Sequence, residues 1–360
     1  MKKRSFDSSK QNRNVKMKAV LFSALIAGSI FTTGLTAYAE GSKVIESQDS
    51  GISAATGKEK EDNIPIPTIE VDYSEVYFPR VCIKTAEGNG NTLTKADGYV
   101  DAQITVIDPD GTTIDAEGEV KIRGNTTAQG EKKPYTIKFE DKQDVFGMGE
   151  AKKWALLANS YDPTLLRNCV AFNIAEELGL SYTSEHEFVE VYMDDVFKGC
   201  YELYEPVEAK KGRVDLTTKK NKDFLIQYES SRIDNDVVYF KAGDYRFEIK
   251  EPEEPTAEQT EYITETMNKI VDVLKTYDYK QISEVIDVDS FAAYYLLNEY
   301  LKTADFNFSS VYYYYKDGIL YAGPVWDYDL SAGNVDETNK KKLSPLGQDA
   351  NVQLYSLLCN

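Results

Sequence analysis

The sequence has few of the residues that most often carry catalysis or cross-link a chain. Its 360 residues include one histidine, His186, and four cysteines. A Ser-His-Asp hydrolase or a His-rich zinc site would need His186, which we predict to be a structural surface residue at the mouth of a strand. Cys82, Cys169, Cys200 and Cys359 are too widely spaced for a metal knuckle or a disulfide-dense scaffold. The sequence is compatible both with a Cys169–Cys200 disulfide and with free buried thiols. Chemistry must therefore rest on carboxylates, Lys, Arg, Tyr or a metal.

Positive charge is also scarce. The chain has 41 Lys and Arg against 60 Asp and Glu, which gives a net charge of -19. Seven of the basic residues and one acidic residue lie in residues 1–39, so the rest of the chain is more acidic still. Nucleic-acid binding relies on neutralising phosphates with Lys and Arg. The sequence therefore predicts no nucleic-acid partner, while acidic walls favour solubility and concentrate divalent cations.

Long uncharged runs are limited to residues 19–36. A basic region precedes this run and Ala37-Tyr38-Ala39 follows it, which is the anatomy of a signal peptide cleaved after Ala39. An uncleaved membrane anchor is the alternative, because the run is about as long as a membrane span. We expect a secreted or cell-surface protein with no stable membrane span after cleavage. Residues 40–63 have the polar composition of a flexible linker.

Strand patterns dominate the first half of the folded region, and helical spacing follows in the second. Alternating runs between Gly, Asn and Pro turns predict strands at 76–83, 99–107, 118–123, 135–139, 188–193, 199–204, 224–228, 237–240 and 245–249, with a hairpin around Asp194-Asp195. Helices are predicted at 163–178, with Asp162 as N-cap, at 256–276 and at 289–301, capped by Asp289-Ser290, and a further helix is predicted from about 351. The pattern predicts an α+β protein.

A hairpin near the C-terminus brings separated carboxylates together. Asp317-Gly318 joins the β-branched and aromatic runs 311–315 and 319–325, and Asp-Gly between such runs predicts a tight antiparallel turn. The loop that holds Asp305 must then lie beside Asp327 and Asp329. Clustered carboxylates and amides are hard ligands suited to Mg²⁺ or Ca²⁺.

Several ordered motifs make the chain similar to a known family. The segments are Lys121-Ile-Arg-Gly-Asn-Thr-Thr127 with Lys132-Lys-Pro-Tyr-Thr-Ile-Lys138, then 165–179, 199–207 and Gly323-Pro-Val-Trp-Asp-Tyr-Asp329. In this order they resemble the CotH kinase family, atypical kinase-like proteins first known from spore coats. The resemblance runs from about Ile64 to the last residue. An acidic loop, a hairpin and a second acidic motif are also how protein kinases place their catalytic and metal-binding Asp residues.

The resemblance implies an atypical protein-kinase-like fold with two lobes. An antiparallel-sheet N-lobe would cover about 64–207 and a helical C-lobe about 208–360, and an incomplete C-lobe is one interpretation of a chain that stops inside a predicted helix. The implied activity is transfer of the γ-phosphoryl group of ATP to Ser or Thr of a surface or extracellular protein. Mg²⁺ is the implied metal, with Ca²⁺ or Mn²⁺ as alternatives.

The acidic residues of the resemblance have implied roles. Asp305 stands at the position of the catalytic Asp that orients the acceptor hydroxyl and takes its proton. Asp327 matches the metal-binding Asp, and on an extended segment Asp329 would point to the same face. Kinases place a second metal ligand five residues after the catalytic Asp. Ser310 occupies that position here, with Asn307 nearby.

Phosphate and nucleotide contacts are implied for a second group of residues. Arg123 lies in a Gly-containing turn, and Lys138 lies on the following strand as the analogue of the kinase strand lysine. Glu176 or Glu177 would be the partner of Lys138, and the choice between them stays open. Glu205 begins the segment that links the lobes, whose backbone would meet adenine.

Two other functions compete with the kinase. One keeps the fold as a non-catalytic scaffolding or binding module on the cell surface or in secreted complexes, since free ATP is scarce outside a cell. The other is a carboxylate-based glycoside hydrolase, which the 26 tyrosines would suit because tyrosine stacks on sugar rings. The hydrolase has no use for a turn that bears Lys and Arg.

Overall fold

The computed structural model describes residues 78–124, 126–216, 222–230, 237–307 and 310–334, with only the backbone described at Asp305 and Asn307. The predicted signal peptide, the linker at 40–63, the start of the first predicted strand, the helix near 351 and Cys359 lie outside these residues.

Strands outnumber helices in the described part of the chain. The first seven strands are β1 (Arg80–Thr85), β2 (Val100–Ile107), β3 (Thr113–Ile122), β4 (Tyr135–Asp144), β5 (Glu150–Leu157), β6 (His186–Met193) and β7 (Val196–Tyr204). The next five are β8 (Phe224–Tyr228), β9 (Tyr239–Ala242), β10 (Tyr245–Glu251), β11 (Val311–Lys316) and β12 (Ile319–Ala322). The helices are α1 (Arg167–Glu177), α2 (Ala257–Leu274), α3 (Tyr279–Ile282) and α4 (Val288–Leu301). The α+β prediction is confirmed.

The first seven strands form a closed barrel in the order β1-β2-β3-β4-β5-β7-β6. Neighbouring strands are antiparallel except β1 and β6, whose parallel pairing closes the barrel. Alternate residues point inward, so the apolar members of each strand fill the barrel and the polar members face outward. On β4, for example, Ile137 and Phe139 are fully buried while Lys138 between them is not.

The remaining strands form a second antiparallel sheet in the order β12-β11-β8-β10-β9. Its central strand β8 is buried along its whole length, as expected for a strand covered on both faces. Helices α2 and α4 pack on one face through residues such as Met267 and Phe291. A helical C-lobe was predicted, but in this half of the chain the helices cover a five-stranded sheet.

Helix α1 begins later than its sequence pattern predicts. Asp162 was predicted as the N-cap, but the helix starts at Arg167 after Leu166. The Asp162 carboxylate instead accepts hydrogen bonds from the backbone N–H groups of Thr164 (2.9 Å) and Arg167 (2.9 Å), and Leu165 has a φ of 59°. Asp162 therefore stabilises an irregular turn before the helix, since Asp readily bonds backbone groups two or more residues ahead.

The predicted hairpin turns agree with the structure, whereas both predicted helix caps differ from the observed ones. Asp194 and Asp195 both have positive φ between β6 and β7, as do Asp317 and Gly318 between β11 and β12, which is the geometry that short hairpins need. Thr256 caps α2 through a capping box with Gln259. For α4 the cap is Asp287, two residues before the predicted one.

The structure shows the state of three of the cysteines and the burial of the histidine. Cys82, Cys169 and Cys200 are free thiols, so Cys169 and Cys200 do not form the disulfide that the sequence left open. The prediction that His186 is a surface residue is wrong: its side chain is 11% exposed, and burial lowers its pKa to about 4. Among the described residues no helix is both long and apolar enough to cross a bilayer.

Candidate functional site

The end of the β11–β12 hairpin opposite its turn carries a paired carboxylate and hydroxyl. Ser310 directly precedes β11, and Asp327 follows β12 by five residues. The antiparallel pairing brings them together, and the Ser310 Oγ donates a hydrogen bond of 2.9 Å to Asp327 Oδ2. Both residues have positive φ, 62° and 67°, which an L-residue adopts only where its surroundings fix it. The backbone thus holds these two side chains in a set geometry.

Asp327 lies in an exposed position at the protein surface. The protein around its carboxyl nevertheless disfavours the charged form and raises its pKa through desolvation, and the Ser310 hydrogen bond and the charge of Arg123 offset this rise only in part. A carboxylate in such a place is a site where a cation would be stabilised.

Arg123 brings the barrel to the same location. It follows β3 directly, and its guanidinium lies over the Trp326 ring, 5.3 Å from the centroid. Desolvation lowers its pKa, while Tyr312 and the Asp327 carboxylate act in the opposite direction. A cation from the barrel and a carboxylate from the second sheet therefore influence each other across Trp326.

Three lysines extend the positive charge along the outer face of the barrel. Lys121 on β3, Lys138 on β4 and Lys153 on β5 alternate with buried residues and so point outward. Lys138 stands opposite Lys153 on one side and Glu119 on the other. With Arg123 these three lysines form what we call the cation cluster.

Lys121 lies among the other members of the cation cluster, of which Lys138 is paired with Glu119 (2.7 Å) and Lys153 with Glu208 (3.4 Å). Burial lowers its pKa, and the charges of Lys153, Arg123 and Lys138 lower it further. Its ammonium lies 4.3 Å from the centroid of the Tyr99 ring. The strongest charge effects on Lys121 come from these cations, so an anion placed beside it would gain electrostatic energy.

A comparison with protein families shows which family the chain belongs to. The family model described as CotH kinase protein matches residues 120–358, about two thirds of the chain. The chain belongs to the CotH kinase family. The match begins near the end of β3 and includes the cation cluster and the β11–β12 hairpin. A search of curated proteins gives no significant match.

Lys138 has a different partner from the one that the CotH resemblance implied. Its Nζ forms an ion pair of 2.7 Å with Glu119 on the neighbouring strand, instead of with Glu176 or Glu177. Those two residues are exposed at the end of α1. The register explains the difference, because Glu119 and Lys138 are directly opposed on β3 and β4.

Glu205 occupies the linking segment that the CotH resemblance assigns to it, between β7 of the barrel and β8 of the second sheet. Its side chain is buried: Oε2 accepts a hydrogen bond from the backbone N–H of Glu185 (3.2 Å), and Oε1 lies 3.6 Å from Nε of Arg213. Its own backbone N–H donates to the Glu185 carbonyl. The contacts of Glu205 in the structure are therefore with the protein itself.

The remaining predicted metal ligands differ in how far the structure describes them. Ser310 contacts Asp327, as described above. Asp329 lies two residues beyond Asp327, but the extended segment from which a common face was inferred is absent, because β12 ends at Ala322 and Asp327 has a positive φ. The side chains of Asp305 and Asn307 lie outside the described residues.

A buried chain of amides holds the residue after Asp327, and sequence reasoning missed it. The Tyr328 backbone N–H donates to Asn168 Oδ1 at 2.7 Å, and Asn168 Nδ2 donates to Asn159 Oδ1 at 3.2 Å. Asn159 Nδ2 in turn donates to Glu202 Oε2 at 2.7 Å. The amides link α1, β7 and the Asp327 segment. A signal was present in the sequence, since Asn168 is a polar residue on a helix face that otherwise reads as apolar.

Lys121 and Lys153 were also missed. For Lys121 the signal is the alternation on β3, where it lies between the buried Val120 and Ile122. Lys153 had no such signal, because β5 was not predicted as a strand. The register between strands, which aligns them with Lys138, is set by pairing that the local sequence does not reveal.

Proposed function

We propose that this CotH family member is an exported atypical kinase that transfers the γ-phosphoryl group of ATP to Ser or Thr of a surface or extracellular protein, with Mg²⁺. In this proposal the barrel acts as the N-lobe and the second sheet with its helices as the C-lobe. One observation carries it: the Asp327 carboxyl, which accepts a hydrogen bond from Ser310, interacts electrostatically with Arg123 of the cation cluster, so oxygen ligands for a cation lie near a cation for a polyanion.

The residues present suit a divalent cation. Asp327 and Ser310 offer carboxylate and hydroxyl oxygens, which hard cations prefer. Among the described residues Ser310 is the hydrogen-bond donor to the Asp327 side chain, through Oδ2, so Oδ1 is left for another ligand. A bound Mg²⁺ would neutralise phosphate charge and orient the transferred group.

The cation cluster would hold the phosphates. Arg123 offers a planar set of donors that matches phosphate oxygens, and its stacking on Trp326 fixes the plane of the guanidinium. Lys121 and Lys153 would act as point charges on the barrel face. Positioning and charge neutralisation are most of what phosphoryl transfer requires from a protein.

Asp305 is proposed as the group that accepts the proton of the acceptor hydroxyl. Its backbone lies in the turn between α4 and β11, at the same end of the hairpin as Ser310. A base that meets only the acceptor contributes when the acceptor is present, so its loss should lower turnover and leave ATP affinity nearly unchanged.

The decisive experiment measures ATP binding with and without Mg²⁺. We expect the parent protein to bind ATP in a Mg²⁺-dependent manner and Asp327→Asn to lose that dependence, while its thermal melt in chelator stays close to that of the parent. Asp272→Asn is a matched control, because Asp272 is an exposed carboxylate on α2. Unaltered metal dependence in Asp327→Asn would remove Asp327 from the site.

Phosphate transfer to a protein acceptor separates catalysis from scaffolding. Asp305→Asn should transfer radiolabelled phosphate far more slowly than the parent at equal ATP occupancy. Full transfer by this variant would exclude Asp305 as the base. A folded parent that binds no ATP in the presence of Mg²⁺ would refute the kinase and favour the scaffolding module.

A further inference from the structure

A second group of ligand-type side chains lies under α1, apart from Asp327. Cys169 on α1, His186 on β6 and Glu202 on β7 each place one ligand atom within 4.8 Å of the other two. His186 Nε2 and Glu202 Oε1 are 3.8 Å apart. Cys169 is 1% exposed and Glu202 is 0% exposed. Three separate elements thus converge on one buried point on the outer side of the barrel wall.

The hydrogen bonds of these residues leave electron pairs facing the common point. Glu202 Oε2 accepts from Asn159, and the buried Oε1 has no partner in hydrogen-bond geometry, while the neighbouring Tyr204 hydroxyl is close enough to lower the Glu202 pKa. The His186 ring is hydrogen-bonded to the Ser184 backbone, and a neutral imidazole has one donor and one acceptor nitrogen. A neutral His186 therefore has one nitrogen lone pair to offer, and its Nε2 lies 3.8 Å from Glu202 Oε1.

The third ligand group, the Cys169 thiol, also has a neighbour that fixes its position. Cys169 Sγ accepts a weak hydrogen bond of 3.5 Å from Asn173 Nδ2. Among the described residues no Lys or Arg forms an ion pair with Glu202. A buried carboxylate without a cation is costly, so the point requires a proton or a metal ion.

We propose that Cys169, His186 and Glu202 bind a divalent transition-metal ion, for which Zn²⁺ is the best match. Thiolate, imidazole and carboxylate are the three ligand types that Zn²⁺ takes in proteins, and three protein ligands leave a fourth position open. Two anionic ligands balance the charge of the ion, so the buried assembly is neutral. Binding releases the thiol proton and any proton on the carboxyl group.

The surroundings already supply the outer contacts that such sites use. Asn159 bonds the second oxygen of Glu202, the Ser184 backbone bonds the His186 ring, and Asn173 bonds the sulfur of Cys169. Contacts of this kind fix ligand orientation in known metal sites. Tetrahedral Zn²⁺ with bonds of about 2.0–2.3 Å needs its ligand atoms roughly 3.3–3.7 Å apart, so the side chains must close in slightly around the ion.

The test uses the full chain purified without a polyhistidine tag, so that His186 is its only imidazole. The protein is loaded with Zn²⁺, dialysed against buffer with excess Mg²⁺, and its metal content is measured. We expect one tightly held equivalent, which Asp327→Asn and Cys200→Ser retain and Cys169→Ser loses. Co²⁺ in place of Zn²⁺ should give tetrahedral d–d bands and a sulfur-to-cobalt charge-transfer band.

A second measurement uses the parent protein alone, so its result does not depend on whether any variant folds. The ring ¹⁵N resonances of the single histidine are compared in Zn²⁺-loaded and chelator-treated parent protein. A shift of one ring nitrogen to the metal-bound position supports the site. Unshifted ring resonances, the absence of retained Zn²⁺, or equal retention by Cys169→Ser would overturn it.

Discussion

Lys121→Met is the sharpest test of the cation cluster, because its effects on stability and on binding should have opposite signs. The substitution removes the charge and keeps an unbranched apolar stem of similar length. Folding lowers the pKa of Lys121 through burial and through the charges of Lys153, Arg123 and Lys138. A base whose pKa is lower in the folded state binds its proton more weakly there, so at neutral pH the Lys121 charge destabilises the fold.

The expected magnitudes follow from this environment. Relief of partly exposed like-charge repulsion is worth about 0–1 kcal/mol, so the free energy of unfolding of Lys121→Met should equal or slightly exceed that of the parent. A hydrogen bond to a charged group contributes about 1.5–3 kcal/mol. Since Lys121 is only half-buried, we expect the lower end for its phosphate contact, which is roughly a tenfold loss of ATP affinity.

The assay pairs urea unfolding with calorimetric ATP titration in the presence of Mg²⁺. Lys275→Met is the matched control, because it removes the same charge from an exposed lysine paired with Asp272 on α2. The control should leave ATP affinity unchanged. An affinity of Lys121→Met equal to that of the parent, or an equal loss in Lys275→Met, would refute a phosphate role for the cluster.

Three further outcomes are expected. Asn168→Ala should reduce the free energy of unfolding by about 1–3 kcal/mol, because it leaves the buried Tyr328 N–H without its acceptor; urea unfolding checks this, and a loss below the error of the fit contradicts it. Asp162→Asn should destabilise the protein at pH 7. Despite desolvation, hydrogen bonds from Arg167 and Thr164 lower the Asp162 pKa below 3.8, so its contribution is present above that value and is lost as the pH falls through the folded pKa. Unfolding curves at pH 7 and pH 3 should therefore show the gap to the parent narrowing in acid. N-terminal sequencing of secreted material should begin at Glu40, and a start at Met1 would contradict signal cleavage.

Local rules predicted those parts of the fold that local interactions determine. Asp194-Asp195 and Asp317-Gly318 gave correct hairpins because residues that tolerate positive φ separate strand-like runs. The Asp317-Gly318 hairpin also explains why Ser310 could be placed near Asp327 from the sequence, since antiparallel pairing fixes which ends meet. The start of α2 was predicted to within one residue, and the capping box that fixes it lies within four residues of the chain.

Features set by distant pairing were not predictable in this way. Strand β5 (Glu150–Leu157) was not predicted. Its adjacent Lys152 and Lys153 interrupt the alternation that marks a strand, so the sequence is equally compatible with a helix. The parallel pairing of β1 with β6 closes the barrel between residues more than a hundred positions apart. The partner of Lys138 depended on register with β3, so a comparison with kinases pointed to α1 and the structure points to Glu119.

The local positive charge of the cation cluster contrasts with the negative net charge of the chain. A chain with a net charge of -19 repels a polyanion at long range, yet one wall of its barrel gathers Lys121, Arg123 and Lys153. Screening limits the long-range repulsion to about 8–10 Å at physiological salt, whereas the cluster acts at contact. In the proposed function free nucleotide would therefore bind weakly and its metal complex better, because a divalent ion cancels charge that the acidic surface opposes. Selectivity for the metal complex would then arise from the whole surface as well as from Asp327.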